Sequence, residues 1–256
     1  MKEFIDSISR NLSKIHKKFD DFYDENNIVH KRLFSEYGAI YAAGGDAVAP
    51  DRIVFKDETE VSEFQSKISI KKAQIGEFEL ELQTSAMNEL LNAVVEAEAN
   101  GLTLNPRGKD SARRNYEGTI ELWLSRVIPA LEFWTNEGKI SFEEAEKIRQ
   151  FPPFQQVPEV FKLEEQEIWF SKDLSKSIIY SVAPPGTSQH LAMLAFDVAE
   201  FQNPSVREIL AKHKWFQTVV SDLPHFTFLG VEETELPNLG LKKIENHGQT
   251  FWIPDI

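Results

Sequence analysis

The chain has 256 residues, no cysteine and a formal net charge of −13. With 41% hydrophobic and 27% charged residues it can bury a sizeable core, so disorder is excluded and the length suits one large domain or a catalytic domain with an N-terminal extension. The acidic balance disfavours nucleic acid and anionic membranes as partners, because polyphosphate binding needs a basic surface, and the lack of cysteine rules out disulfides and thiolate metal sites.

Apolar residues Phe4, Ile5, Ile8, Leu12, Ile15 and Phe19 recur at spacings of three and four, which predicts an amphipathic packing helix within residues 1–38. Gly38 to Pro50 reads as a Gly-rich loop, Asp51–Phe55 as a short strand and Val61–Ile68 as a helix. The alternation in Phe78-Glu79-Leu80-Glu81-Leu82 predicts a half-exposed strand, followed by a helix from about Ala86 to Ala99 capped by Ser85. Leu102–Asn105 reads as a short strand entering the basic loop that holds Arg107, Arg113 and Arg114, ahead of a long helix from Tyr116 to about Asn136. Ser141 caps a further helix to Gln150, with Glu144 at the capping-box position, and Phe151-Pro152-Pro153-Phe154 breaks it. Beyond an acidic, aromatic-bearing stretch from Val157 to Trp169, Ile178–Val182 is strand-like. A helix from Asn203 or Ser205 to His213, a strand from Trp215 to Val220 and a closing hairpin within residues 236–256 complete the chain.

The stretch with the clearest chemistry is Pro184-Pro185-Gly186-Thr187-Ser188-Gln189-His190, running on to Asp197. Imidazole and carboxylate together point to zinc. Asp222-Leu223-Pro224-His225 adds a second imidazole and another carboxylate, which a metallohydrolase needs as third ligand and general base. A straight strand would hold His190 and Asp197 roughly 23 Å apart and on opposite faces, so the chain must bend between them. Asp222 and His225 would likewise face opposite ways in an ideal strand unless Pro224 kinks it. His16, His30, His213 and His247 read as ordinary surface residues. His247, in a hairpin turn beside Gly248, is also the reserve third ligand. Arginines in an acidic protein commonly form surface ion pairs, and a lone histidine is more often structural than a ligand.

These residues resemble a known family. Pro185-Gly186-Thr187-Ser188-Gln189-His190 through Ala195 and Asp197 is similar to the P-G-x-S-x-H-x-x-G-x-A-x-D signature of the VanY-like D-alanyl-D-alanine carboxypeptidases, zinc peptidases of the LAS group. Asp222-Leu223-Pro224-His225 resembles the family's E-x-W-H element, and Ser111-Ala112-Arg113-Arg114-Asn115-Tyr116 its S-G-Y-R-S-Y segment. Met193 stands where the family has glycine, Pro224 where it has tryptophan, Asp222 where it has glutamate and Thr119 where it has glutamine. The resemblance spans roughly residues 84–256.

The resemblance implies an α+β fold: a LAS-type peptidase domain with a small antiparallel sheet flanked by helices over residues 84–256, preceded by a mainly helical extension over residues 1–83. It implies Zn2+ held by His190, Asp197 and His225, with Asp222 as the base that activates water. Arg114 is implied to grip the substrate carboxylate, with Arg107, Arg113 and Ser188 as further substrate-binding candidates. The implied activity is that of a metallopeptidase acting on peptidoglycan stem peptides of the cell wall. The competing reading is a VanY-like protein that binds such peptides without cleaving them, and a third is another amide or ester hydrolase on the same metal. No stretch approaches the roughly 20 apolar residues of a membrane helix, and the N-terminus lacks a secretory h-region. A wall substrate would then require a cytoplasmic site, another export route or a chain trimmed after export. Oligomeric state is open.

Overall fold

The computed structural model describes residues 1–256. Nine helices surround three small antiparallel sheets, an α+β arrangement. A single core of 61 buried residues runs from Phe4 to Trp252 and so draws on both the first 83 residues and the remainder.

The N-terminal amphipathic pattern is divided among three helices, α1 (Lys2–Ser13), α2 (Phe19–Phe22) and α3 (Ile28–Tyr37). The chain turns at His16, whose φ is +59°, and α3 restarts where Asn27 accepts the N–H groups of Val29 and His30. The expected loop after Gly38 begins instead as a buried 3-10 turn, Gly38–Ala42, because Ala39, Ile40 and Tyr41 belong to the core. Asp51–Phe55 is not a strand. No neighbouring chain offers it a ladder, and its bonds are individual ones, from Tyr41 Oη to the Ile53 carbonyl and from Phe55 N–H to the Gly186 carbonyl.

Helix α4 (Glu58–Gln65) precedes a hairpin, β1 (Ile70–Ile75) and β2 (Phe78–Gln83); β1 is too polar to have shown as a strand in the sequence. Helix α5 (Thr84–Ala99) starts without a side-chain cap, and Ser85 Oγ donates instead to the Asp46 carbonyl. Leu102–Asn105 forms no strand. The chain beside it makes one bridge, Pro106 with Val198, and proline has no N–H to extend the ladder.

Helices α6 (Tyr116–Asn136) and α7 (Phe142–Gln150) agree with the sequence reading, and Ser141 Oγ accepts the Glu144 N–H. The Pro-Pro break also begins a helix, α8 (Pro153–Glu164), with proline in its first turn, where the missing N–H costs nothing. Ile178–Val182 is not a strand: a 3-10 turn, Ile178–Tyr180, forms there because Ser177 Oγ and the buried Glu164 carboxylate take the N–H groups of Ile179 and Ile178.

The central sheet has the order β3 (Ala195–Asp197), β5 (His225–Phe228), β4 (Trp215–Phe216), antiparallel throughout, with α9 (Pro204–Lys212) between β3 and β4. Alternation along the strands puts Phe196, Phe226, Phe228 and Trp215 on one face, and Asp197, His225 and Thr227 on the other. The predicted strand to Val220 ends at Phe216. Beyond it the Gln217 carbonyl accepts Trp252 N–H from the closing hairpin, β6 (Leu241–Asn246) and β7 (Gln249–Pro254), and the chain then turns back at Val219–Asp222. No helix is long and apolar enough to cross a membrane.

Candidate metal centre and cleft

The bend that joins His190 to Asp197 is built from three pieces. Gly186, at φ +74°, passes so close to Phe55 that a Cβ there would lie 1.7 Å from the Phe55 carbonyl oxygen, so the turn requires glycine. A 3-10 turn over Gln189–Ala192 then carries His190, and Met193 reverses the chain in the left-handed region at φ +57° before β3 begins.

Asp197 and His225 are Cα partners across the β3–β5 ladder, so their side chains project from the same face. A turn closed by His225 N–H to the Asp222 carbonyl at 3.1 Å leads into β5, in place of a kinked strand. The basic loop lies along the free edge of β3: Asp197 N–H donates to the Ser111 carbonyl, and Arg107 N–H donates to the Asp197 carbonyl.

His190 Nε2 lies 3.3 Å and His225 Nδ1 3.1 Å from Asp197 Oδ1, and the three atoms fall within 4.8 Å of one another. The outer nitrogens fix the tautomers. His190 Nδ1 lies 2.7 Å from the Ala112 carbonyl, which can only accept. His225 Nε2 lies 3.0 Å from Gln189 Oε1, and Gln189 is oriented by its own Nε2 donating to the Tyr37 carbonyl and by Thr227 Oγ1 donating to its oxygen. Both rings therefore carry their hydrogen on the outside and turn lone pairs toward a carboxylate oxygen, an arrangement that could hold a cation between them. Zinc bound tetrahedrally at about 2.0–2.2 Å separates its ligand atoms by roughly 3.3 Å, and the two spacings to Asp197 Oδ1 fit.

The charge states agree with this. Burial is the main influence on His190 and pushes its pKa down, keeping the ring neutral. Burial also pushes the Asp197 carboxyl up, but His190 and His225 outweigh it and hold the group well below the usual carboxylate range. The cluster thus presents a neutral His190 and an anionic Asp197 beside the His225 ring, a donor set suited to a divalent ion.

The cluster opens into a cleft of about 270 Å3 that Arg114, Ser188 and Asp222 also line. Arg114 Nη2 is 3.8 Å from Asp197 Oδ2, while its buried Nε has no partner. Asp222 is exposed at the mouth. Arg107 and Arg113 do not line the cleft: Arg113 binds Glu81 Oε2 at 2.5 Å and Gln65 Oε1 at 2.7 Å, and Arg107 is exposed. His247 sits in the β6–β7 turn, apart from the cluster. Gln189, Tyr37 and Thr227 escaped the sequence reading, since a glutamine between two motif residues and a tyrosine 152 positions upstream of it give no local signal. A larger groove of about 650 Å3, between α9 and the closing hairpin, holds no cluster of metal-ligating groups.

No family model matches the chain, and no curated protein matches it. Two solved structures show a distant structural relationship. One is the vancomycin resistance D,D-pentapeptidase VanY from a VanB-type resistance cassette, a mutant in complex with Zn(II): 14% identity, TM-score 0.35, covering 64% of this chain and 82% of that one. The other is VanYB in complex with D-alanine-D-alanine: 16% identity, TM-score 0.38, covering 67% and 84%.

Proposed function

We propose that this chain is a divergent VanY-like, LAS-type zinc peptidase acting on peptidoglycan stem peptides, with the terminal D-Ala-D-Ala bond as the substrate to test first. The observation that carries the metal is the pair of histidines whose outer nitrogens are both committed to acceptors while their inner nitrogens face one carboxylate oxygen. The peptide substrate rests on the motif resemblance around Pro185–Asp197.

A zinc ion held by His190, Asp197 and His225 would polarise the scissile carbonyl and acidify the attacking water. Asp222, at the mouth of the same cleft, would take the proton from that water and pass it to the leaving amine. Arg114, with an unpartnered Nε, would hold the substrate carboxylate, and Ser188 lies in the same cleft wall.

The test is release of D-alanine from a synthetic stem peptide by zinc-loaded protein. Turnover should vanish on chelation and in His190→Ala. It should fall on the order of 10²–10⁴-fold in Asp222→Ala with metal content unchanged. Stoichiometric zinc without hydrolysis at any pH would favour the non-catalytic peptide-binding reading.

A further inference from the structure

One part of the cleft lining comes from α6, which contributes Leu122 and, one turn on, Arg126. Arg126 Nε donates to Ser181 Oγ at 3.0 Å and Nη1 to Ser125 Oγ at 2.9 Å, while Nη2 has no partner in the chain. Both partners are neutral, although the chain has 41 acidic residues.

The other half-buried arginines show how unusual this is. Arg32, Arg52 and Arg149 each meet a carboxylate at 3.0 Å or less. Arg207 donates to three backbone carbonyls, those of Phe201, Gln202 and Gly248. Only Arg114 and Arg126 are left without a close carboxylate or a set of carbonyls, and both line the same cleft. A guanidinium half out of water gains most from a planar, doubly accepting anion, which neither serine supplies. Asp197 and Asp222 line the same cleft and offset the two positive charges, so the attraction for an anion rests on the unpartnered guanidinium nitrogens and not on net charge.

We infer that Arg126 forms a second carboxylate subsite, so that the preferred ligand is an acidic peptide with a side-chain or free α-carboxylate in addition to its terminal one. This rests on the peptide-binding reading proposed above. Arg114 takes the terminal carboxylate, and Arg126 takes the second one further along the cleft, with the Ser125 and Ser181 hydroxyls holding the guanidinium plane in place.

The experiment uses two N-acetylated tripeptides ending in D-Ala-D-Ala, one with Glu and one with Gln in first place, offered to the zinc-loaded full chain. The Glu peptide should have a kcat/KM about tenfold higher, in keeping with one charge-assisted contact. In Arg126→Gln the ratio should collapse to about one, the loss falling on the Glu peptide, and Arg126→Lys should retain part of the preference. Equal rates for the two peptides in the wild type, or an unchanged ratio in Arg126→Gln, would overturn the inference. If neither peptide is hydrolysed, the peptidase reading fails, and calorimetric Kd values for the same pair decide the subsite: tenfold tighter Glu peptide supports it, equal Kd values overturn it.

Discussion

Asp197 and His225 face each other across the β3–β5 ladder, with Asp197 Oδ1 3.1 Å from His225 Nδ1. Their meeting is a matter of register: a slip of one residue would bring Phe226 opposite Asp197 and send the imidazole to the other face of the sheet. The aromatic face of Phe196, Phe226, Phe228 and Trp215 guards against that slip, because it would have to exchange buried rings for polar groups.

Gln189 holds His225 through its Oε1 and is itself held by the Tyr37 carbonyl. Gln189→Leu removes the acceptor that fixes the ring and should weaken zinc binding by about 10–100-fold. Gln189→Glu keeps an acceptor for the ring but loses the donor to the Tyr37 carbonyl, and should retain only part of the affinity. Competition with a chelator of known zinc affinity measures both, and equal affinities in the Leu variant and wild type would speak against a positioning role.

Arg113 and Arg114 are adjacent in sequence yet differ in what they touch. Arg114→Ala should lower kcat/KM for a peptide with a free terminal carboxylate by about 10–100-fold, the range of a charge-assisted hydrogen bond. Arg113→Ala, which loses Glu81 and Gln65, should leave kcat/KM within about threefold and lower the melting temperature slightly. Comparable kinetic losses in the two variants would show the assignment to be mistaken.

Gly186→Ala should destabilise the fold by more than about 3 kcal/mol, since the new Cβ must displace the Phe55 backbone and the residue must keep a positive φ. Because the turn leads into His190, zinc affinity should fall with it. Urea unfolding with and without metal would register both losses, and a midpoint equal to wild type would contradict the packing described.

The α5–α9 contact sets an acid limit. His213 bridges Glu89 and Glu96 at 3.2 and 2.9 Å, and Lys214 and Lys212 lie 3.0 and 2.8 Å from the same two carboxylates. Burial raises the pKa of Glu89, but Lys214 and His213 outweigh it and leave it below its ordinary 4.5. Lys212 and His213 likewise lower that of Glu96. The unfolded chain titrates at the ordinary value, so the ionised form of Glu89 stabilises the fold above about pH 4.5, and this contribution is lost as pH falls through the lower folded value. Glu89→Gln should therefore melt below wild type at neutral pH, with the gap narrowing as the pH is taken down below about 4.5. A gap that stays constant as the pH is lowered would exclude the ion pairs as its source.

Residue identities alone named the chemistry on offer: which side chains could ligate a metal, that cysteine was not among them, and where helices α5, α6, α7 and α9 would run. Those follow from side-chain type and from a period of 3.6, which are local properties. Tertiary structure decided what met what. It turned Asp51–Phe55, Leu102–Asn105 and Ile178–Val182 away from strand, because a strand exists only where a partner offers a ladder. It left Arg113 to an ion pair and Arg114 to the cleft, although one position separates them. It closed the gap from His190 to Asp197 with a 3-10 turn and a left-handed Met193, and brought in Gln189 and Tyr37, whose role depends on contacts between residues 152 positions apart. Spacing along a chain cannot encode such a contact, since a hydrogen bond across the fold depends on how the intervening elements pack.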